Sequence, residues 1–218
     1  RADMAIVFAK TDPNAGQWGI SAFIVERGTP GFHPSGNRAK MGLRTMPMGE
    51  FTFQDCVVPA SCRLGGEGAG MSLFSHTMEW ERGLILASHV GAMARQVDEC
   101  VAHAKEREQF GQPVGGFQAV THRIADMALR VETCRAMLHK VAWLKHHGKP
   151  AALEAAMIKL HISECFSSSS LDAIRTHGAR GYLSEYGIER DLRDAVGGVI
   201  YAGTSDIQRN LIARLLGI

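Results

Sequence analysis

A carboxylate within an apolar helical stripe is the strongest candidate for chemistry in this sequence. Apolar residues recur at three- and four-residue spacing around Glu81, and Leu84 and Ile85 follow one turn later. A carboxylate that faces a packed interior without a partner loses hydration, which raises its pKa and makes it a useful base near neutral pH. Alternatively, Glu81 lies at the edge of the stripe and pairs with a surface cation, and helix geometry alone favours this alternative.

Three polar clusters interrupt the helical part of the sequence. The first surrounds Glu81 at residues 79–82, and the second covers residues 106–111 with Phe117 and Gln118 shortly after it. The third, at residues 201–209, is a turn of small residues that opens a helix. Free N–H groups and the positive end of a helix dipole favour an anionic or carbonyl-bearing ligand at such a turn.

Long helices must position these clusters. The 3.6-residue periodicity predicts an uninterrupted helix over 70–110, further helices over about 117–146, 151–177 and 188–200, and a final helix whose N-cap is Thr204 or Ser205. The four serines at 167–170 suggest a close approach between helices. Short connections between such helices predict an antiparallel bundle.

The first part of the chain has a different texture. Short β-rich runs at 4–9, 18–26 and 50–58 are separated by turn residues, which predicts an antiparallel β unit. A glycine-rich stretch at 65–70 then reads as a linker, because its spacing is not that of a phosphate-binding loop. The predicted fold class is therefore α+β, with a partial β domain over 1–66 and a helical bundle over 67–218.

Composition excludes several classes of protein. The 218 residues are 45% hydrophobic and 21% charged with a net charge of +2, which does not indicate a nucleic-acid or anionic-membrane partner. No apolar run approaches the length of a membrane span. The five cysteines are scattered and the ten histidines show no ligand spacing, so we expect reduced buried thiols in an intracellular protein and no metal site.

Six short motifs occur in order along the chain: GISAFIVE at 19–26, KMGLR at 40–44, FQDCVVP at 53–59, REQFG at 107–111, LRDA at 192–195 and YAGTS at 201–205. Together, and in this order, they resemble the acyl-CoA dehydrogenase family of flavoproteins with high specificity. The resemblance covers essentially the whole chain. It implies a β domain and a C-terminal four-helix bundle from a protein that also has an N-terminal helical domain, so that this chain would begin inside the middle domain.

The resemblance also implies a reaction and a base. In this family a carboxylate removes a proton next to a thioester carbonyl while FAD accepts a hydride from the neighbouring carbon, giving a 2-enoyl product. Most members carry the base directly after the tyrosine of the third cluster, where this chain has Ala202. Isovaleryl-CoA-type and long-chain-type members instead draw it from the position of Glu81 and have a small residue at the other position. This pairing reverses the reading of Glu81 from a surface residue to the base.

Other roles follow from the resemblance position by position. Arg107 resembles the arginine that meets the flavin pyrophosphate across a subunit interface, with an exposed helix pair as its alternative. Residues 175–182 depart from the family's Gly-Gly-Asn-Gly loop, and Arg175 could either pair with the phosphates or mark a cofactor site that has diverged from the family's. The implied cofactor-binding residues are Arg107, Glu108, Gln109, Phe110, Phe117, Gln118, Arg175, Ala179, Thr204, Ser205 and Asp206; the implied substrate-binding residues are Glu79, Trp80, Arg82, Tyr201 and Gly203.

Three functions remain open at this point. The leading expectation is an FAD-dependent acyl-CoA dehydrogenase of fatty-acid or branched-chain amino-acid catabolism, a homotetramer or homodimer that passes electrons to an electron-transfer flavoprotein. The same chemistry on an acyl group tethered to a carrier protein is the second. The third is a non-catalytic dehydrogenase-like subunit. The expected location is the cytoplasm in a bacterium or the mitochondrial matrix in a eukaryote, without secretion.

Overall fold

A computed structural model describes residues 2–218 and divides them into two compact units. The first unit contains Arg44–Met78 and the residues up to Lys40, and the second contains Met41–Leu43 and Glu79–Ile218. The first is mostly β and the second is helical, so the predicted α+β class is confirmed. The predicted domain boundary at residue 66 stays a prediction.

The β unit is built on one long antiparallel pair. Strand β1 (Met4–Lys10) pairs with β2 (Ile20–Glu26) along its whole length, and β5 (Arg63–Leu64) extends the sheet beside β2. A separate pair joins β3 (Phe32–Pro34) to β4 (Phe51–Phe53). The buried side chains Ala5, Val25 and Phe32 form the core of this unit.

The strand predicted at 50–58 is mostly absent. Only Phe51–Phe53 pair, because Gln54 instead donates its backbone N–H to Gly31 and Asp55 adopts the left-handed conformation at φ 49°. A left-handed residue turns the chain out of the extended conformation that a strand needs. Alternation of Phe51 and Phe53 with polar residues therefore predicted the strand but not its end.

Two helices replace the predicted single helix over 70–110. Helix α1 (Gly70–Leu84) runs from the first unit into the second, and α2 (Ala87–Glu106) follows after a two-residue break at Ile85 and Leu86. The apolar stripe continues across the break, because Leu86, Val90 and Met93 are all buried in the core of the helical unit. Periodicity alone does not detect such a break, since the same side of the chain stays apolar.

All but one of the remaining helices match the predicted ones closely, and the exception, a four-residue helix at Ala179–Tyr182, was not predicted. The remaining helices are α3 (Gln118–His146), α4 (Ala152–His177), α5 (Ala179–Tyr182), α6 (Ile188–Gly198) and α7 (Ser205–Leu216), with a short hairpin of β6 (Glu108–Gln109) and β7 (Gln112–Pro113) between α2 and α3. Helix α4 is central and packs on α2, α3, α6 and α7. Its side chains Ser169 and Ser170 are fully buried, in agreement with the close helix approach that the serine run suggested.

The buried face of α4 does not contain all of the apolar residues that recur at helical spacing along it. Leu153, Met157 and Leu160 are only half-buried, whereas the buried residues include Ala155, Ala156, Ile158, Ile162 and Phe166. A helix surrounded by several others buries more than one face, so a single stripe does not describe it. One member of this buried face is a lysine, Lys159, which lies beside the candidate site.

Candidate active site

Glu81 lies in the last turn of α1, where tight packing fixes the helix. A β-carbon added to the buried residue Gly83 would lie 3.0 Å from Cγ1 of Val141 and 3.7 Å from Cβ of Ala155. Glycine at this position therefore allows the end of α1 to approach α3 and α4 closely. The backbone carbonyl of Glu81 accepts a hydrogen bond of 2.9 Å from Ile85 just before the helix breaks.

The Glu81 side chain is half-buried and unpaired. Within the described part of the chain, its carboxylate forms no ion pair and accepts no hydrogen bond from another side chain. The surface-cation alternative is therefore not what the structure shows. Its charge nevertheless acts on two neighbours. Burial lowers the pKa of Arg82 and the Glu81 charge opposes this shift, whereas burial and the Glu81 charge both raise the pKa of Tyr201.

The neighbouring acid, Glu79, is by contrast fully engaged. Its carboxylate forms an ion pair with Lys145 of α3, and the same ammonium group lies 4.7 Å from the centroid of the Trp80 ring. Both charges are largely shielded from solvent, which makes the pair a structural contact between α1 and α3. Glu79 and Glu81 are two residues apart in α1, but only Glu79 forms an ion pair. Glu81 is therefore the acid that remains available to accept a proton.

The turn at residues 201–203 has an unusual backbone. Ala202 has φ 55° and Gly203 has φ 91°, both in the left-handed region. For an alanine this conformation is strained, so its surroundings must hold it in place. Three long side chains hold the turn by donating hydrogen bonds to the backbone carbonyl groups of Ala202 and Gly203.

Arg82, Lys159 and Gln208 bind these carbonyl groups. Arg82 Nε donates to the Ala202 carbonyl at 3.2 Å, and Lys159 Nζ donates to the Gly203 carbonyl at 2.5 Å. Gln208 Nε2 donates to both carbonyl groups at 3.1 Å. Since Arg82 adjoins Glu81 in α1, these hydrogen bonds tie the turn to the helix that carries the candidate base.

Tyr201 is held as a neutral phenol. Its hydroxyl shares a hydrogen bond of 3.1 Å with Nε2 of His89, which is itself buried against Phe166. Burial and the charge of Glu81 raise the pKa of Tyr201 to about 12, while burial lowers the pKa of His89. Neither group carries charge near neutral pH, so neither competes with Glu81 as an anionic base.

The start of α7 follows this turn directly. Thr204 is the N-cap, one of the two residues predicted for that role, and its hydroxyl accepts the backbone N–H of Ile207 at 3.3 Å. The buried hydroxyl of Ser205 has no hydrogen-bond partner among residues 2–218. Asp206 is exposed and accepts a hydrogen bond from Arg209. An unpartnered hydroxyl at a helix start leaves a donor for a polar ligand.

The other predicted cofactor residues lie at the far end of the helical unit. Lys159 and His177 are 18 residues apart on α4, which is roughly 27 Å at 1.5 Å per residue. His177 stacks on His103 near the end of α2, next to the β6–β7 hairpin that carries Glu108 and Gln109. Lys159 binds Gly203, next to Thr204. Within one chain, the residues around Thr204 and those around Arg107 therefore lie at opposite ends of the helical unit.

Basic side chains dominate this far end. His103, Arg107 and Arg180 line a cavity of about 390 Å³ together with Glu106 and Glu108. Burial lowers the pKa of His103, and His177, Arg180 and Arg107 lower it further. Among the described residues Arg107 forms no ion pair, and so its planar guanidinium is available to an anion.

The hairpin presents an aromatic ring to solvent. Phe110 has φ 53° and Gly111 has φ 79°, the two left-handed residues of a tight hairpin turn. Phe110 is 93% exposed and contacts Phe117 edge to face at 6.0 Å between ring centroids, with Gln118 exposed beside them. A bulky apolar residue in this strained and exposed position fits a flat ligand such as an adenine ring.

Arg175 and Ala179 are the two departures noted in the sequence, and both are exposed at this end. Arg175 lies 3.5 Å from Asp172, which also accepts a hydrogen bond of 2.7 Å from Arg130. Asp172 therefore draws Arg175 back toward the bundle. The guanidinium groups and the exposed aromatic ring at this end are of the kinds that suit the phosphates and the adenine of FAD, and the free hydroxyl at the start of α7 is a separate donor at the opposite end.

Three residues of the site were not identified from the sequence: His89, Lys159 and Gln208. The signal for Lys159 was present, because a lysine interrupts a run of alanine and isoleucine in α4. Gln208 is fully buried near the start of α7, although the residues next to it in the sequence are exposed. Nothing in the local sequence indicates that Gln208 is buried. His89 lies in the first turn of α2, directly after the helix break. Its position in the site could not be predicted, because the periodicity did not predict that break.

Comparisons with known proteins agree with this architecture. The family model described as "Acyl-CoA dehydrogenase, C-terminal domain" matches residues 68–217, and that of the middle domain matches residues 1–56. The chain is 46% identical over 215 residues to an L-prolyl-[peptidyl-carrier protein] dehydrogenase of Pseudomonas fluorescens, covering 99% of this chain and 57% of that protein. It therefore belongs to the acyl-CoA dehydrogenase family, and it spans little more than half the length of such relatives.

Two further similarities bear on the substrate. The probable acyl-CoA dehydrogenase YngJ of Bacillus subtilis is 44% identical over 216 residues, covering 99% of this chain and 57% of that protein. The solved structure described as "PigA with FAD and proline" superimposes with a TM-score of 0.97 at 43% identity, covering 99% of this chain and 56% of that one.

No helix among residues 2–218 is long and apolar enough to cross a membrane.

Proposed function

We propose that this chain is part of an FAD-dependent dehydrogenase that oxidises the α,β carbon–carbon bond of an acyl thioester, with Glu81 as the base. The observation that carries the proposal is the half-buried, unpaired Glu81 carboxylate beside a turn in which Ala202 stands at the family's other base position. A base must reach its proton without a competing partner.

The side chains around Glu81 have separate tasks in this proposal. Glu81 removes the proton from the carbon next to the thioester carbonyl. Arg82, Lys159 and Gln208 fix the turn that ends in Gly203, the position that the family resemblance places near the thioester. Trp80, whose ring lies 4.7 Å from the Lys145 ammonium group, is a substrate-contacting residue in this proposal, as the family resemblance implies.

FAD, the cofactor predicted from the sequence, is confirmed for the family by relatives solved with FAD bound. When bound, FAD would supply the acceptor for the hydride that leaves the β carbon. Thr204, Ser205 and Asp206 would hold it at one end of this helical unit. Arg107, Phe110, Phe117 and Gln118 would hold it at the other, which is roughly 27 Å away along α4.

This separation supports a shared site. Because the two sets of residues lie at opposite ends of the helical unit, roughly 27 Å apart along α4, we propose that Arg107 and its neighbours serve the flavin of a second copy in a homotetramer or homodimer. The cross-subunit role that the resemblance assigned to Arg107 agrees with this arrangement. Electron-transfer flavoprotein remains the proposed electron acceptor, and a bacterial cytoplasmic location remains an expectation.

For the substrate, we favour a thioester on a carrier protein over a CoA thioester. The support comes from the 46% identical relative, named for a prolyl group on a peptidyl-carrier protein, and from the PigA structure, which holds proline with FAD. CoA is the alternative, supported by the 44% identical relative named as a probable acyl-CoA dehydrogenase. Neither carrier alters the role of Glu81, because the proton lies next to the same thioester carbonyl.

The decisive experiment mixes the intact, flavin-loaded protein anaerobically with a prolyl carrier protein or with short and branched acyl-CoAs and follows flavin bleaching. We expect bleaching with the carrier-bound substrate and a loss of about 10²–10⁴-fold in its rate in Glu81→Gln. Glu99→Gln is the matched control, because Glu99 is an exposed acid that pairs with Arg95.

Each outcome separates the alternatives. Bleaching with acyl-CoA alone would transfer the proposal to the CoA substrate and leave Glu81 as its base. Equal bleaching in Glu81→Gln and the unmodified protein would disprove the base assignment. Absence of bleaching with every thioester would favour a non-catalytic subunit instead.

A further inference from the structure

Two helices outside the candidate active site bring together a cluster of metal-ligand residues. Cys134 lies on α3, and His161 and Cys165 lie one turn apart on the facing side of α4. The two sulfur atoms and the imidazole nitrogen all lie within 4.8 Å of one another. Sequence spacing did not predict this cluster, because Cys134 and Cys165 are 31 positions apart and meet only when the helices pack.

One of the distances already matches that of a tetrahedral site, and the others are at most 4.8 Å. Ligand atoms at about 2.0–2.3 Å from a zinc ion are separated by roughly 3.5–3.8 Å. Sγ of Cys165 lies 3.6 Å from Nε2 of His161, within that range. The remaining separations would close by small side-chain rotations, since both helices are rigid elements that already place the ligands on one side.

Solvent can reach one side of the cluster. Cys134 is fully buried and Cys165 is 9% exposed, whereas His161 is half-buried and Thr133 is exposed. The Thr133 hydroxyl lies 3.5 Å from Nε2 of His161, and Sγ of Cys165 lies 3.6 Å from that nitrogen and 3.9 Å from Nδ1. Thr133 or a water molecule would therefore occupy the fourth position of a site whose other three ligands are fixed.

The chemistry of the ligands selects the cation. Two thiolates and one imidazole suit a borderline-soft ion such as Zn²⁺ and disfavour Mg²⁺ or Ca²⁺, which bind oxygen ligands. Two thiolates neutralise the charge of Zn²⁺, so burial of the complex leaves no uncompensated charge. We propose that Cys134, His161 and Cys165 form a binding site for Zn²⁺ or a similar thiophilic cation, which joins α3 to α4.

The test is titration of the intact, flavin-loaded protein with Co²⁺, a spectroscopic substitute for Zn²⁺, after reduction and removal of metals by a chelator. We expect one Co²⁺ per chain, a thiolate-to-cobalt charge-transfer band, and displacement of the band by Zn²⁺. Loss of one ligand should weaken binding by more than the roughly 10–100-fold that loss of an outer partner costs.

Three variants and one control make the result specific. Cys134→Ser, Cys165→Ser and His161→Gln should each lose the band, and His161→Gln changes a half-buried residue whose replacement leaves the core intact. Cys100→Ser is the matched control, because Cys100 is another buried thiol whose Sγ lies 3.9 Å from a histidine, His177, without a second cysteine. It should retain the band.

Two results would overturn the proposal. One is the absence of Co²⁺ and Zn²⁺ uptake by the reduced, unmodified protein. The other is equal uptake by the unmodified protein and His161→Gln or Cys165→Ser, which would place the metal elsewhere. Flavin content serves as the measure of folding in every variant, and it should be unchanged in His161→Gln.

Discussion

Lys159 donates a hydrogen bond of 2.5 Å from its ammonium group to the carbonyl oxygen of Gly203, although Lys159 is 0% exposed. No carboxylate lies within ion-pair distance of it in the described chain. A buried charge without a counter-ion is costly, and the hydrogen bond to Gly203 offsets part of this cost while it holds the turn at residues 201–203 in place.

The pH dependence of stability should reveal this lysine. Burial, followed by the charge of Arg82, lowers the pKa of Lys159 from 10.5 to about 8. The charged form therefore costs stability below pH 8, and this cost is lost progressively as the pH rises toward 10.5. The free energy of unfolding of the natural protein, minus that of Lys159→Met, should thus increase between these pH values by about 2 kcal/mol.

Urea unfolding of both proteins at a series of pH values measures this difference, and every other titrating group cancels between them. A difference that stays constant or falls as the pH rises would show that Lys159 has an ordinary pKa. Lys140→Met serves as a control, since the ammonium group of Lys140 is exposed and pairs with Glu154.

The strained turn makes opposite predictions for its two residues. Ala202→Gly should leave stability unchanged or raise it by up to about 1 kcal/mol, because glycine adopts a positive φ without the steric cost of a β-carbon. Gly203→Ala should lower it by more than about 2 kcal/mol, because the new β-carbon would lie 2.7 Å from Nε2 of Gln208.

Thermal or urea unfolding of the two variants tests this contrast. Destabilisation of both variants to the same extent would contradict it, and would indicate that any change of side chain disturbs this turn. Flavin content should follow the same order, since the turn leads directly into Thr204.

A buried polar network near α6 should matter more than the exposed ion pair beside it. Asp191 accepts hydrogen bonds from Arg95 at 2.5 Å and from Gln96 at 3.0 Å, and Gln96 is almost completely buried. Asp191→Ala should destabilise the protein by about 1–3 kcal/mol, because the buried Gln96 amide loses an acceptor.

Glu99→Ala is the matched control for Asp191→Ala. Glu99 binds the same arginine, but both partners are more than 40% exposed, so its removal should cost less than about 1 kcal/mol. The free energy of unfolding measures both changes. Equal losses would show that the buried Gln96 amide does not depend on Asp191.

Arg107 should contribute to FAD affinity. An exposed guanidinium without an ion pair can form charge-assisted hydrogen bonds of about 1.5–3 kcal/mol with a phosphate, so Arg107→Gln should weaken FAD binding by roughly 10–100-fold. Equilibrium binding of FAD to the flavin-free protein measures the effect.

Arg135→Gln controls for the loss of a surface charge, because Arg135 already pairs with Glu132. Unchanged FAD affinity in Arg107→Gln would remove Arg107 from the proposed flavin site. Arg175 is the other candidate for binding the FAD phosphates. Because Arg175 already pairs with Asp172, we expect Arg175→Gln to weaken FAD binding less than Arg107→Gln does.

Much of the helical architecture could be predicted from periodicity. The bounds of α3 and α4 and the N-cap of α7 lie within one residue of prediction, because caps, glycine and proline mark helix ends locally. The break after Leu84 and the early end of β4 could not be predicted, because each depends on packing or on a single left-handed residue such as Asp55.

The sequence by itself determined the α+β class and the family, because these rest on residue types, their spacing and the order of motifs along the chain. The choice of Glu81 as candidate base came from the family resemblance, since helix geometry alone favoured a surface ion pair. The tertiary structure decided which charges are paired, since Glu79 meets Lys145 while Glu81 meets no partner among residues 2–218. It also decided that Lys159 binds the turn at Gly203 and that Cys134 lies against His161 and Cys165. Such contacts join residues far apart in the sequence, and only the packing of helices brings them together.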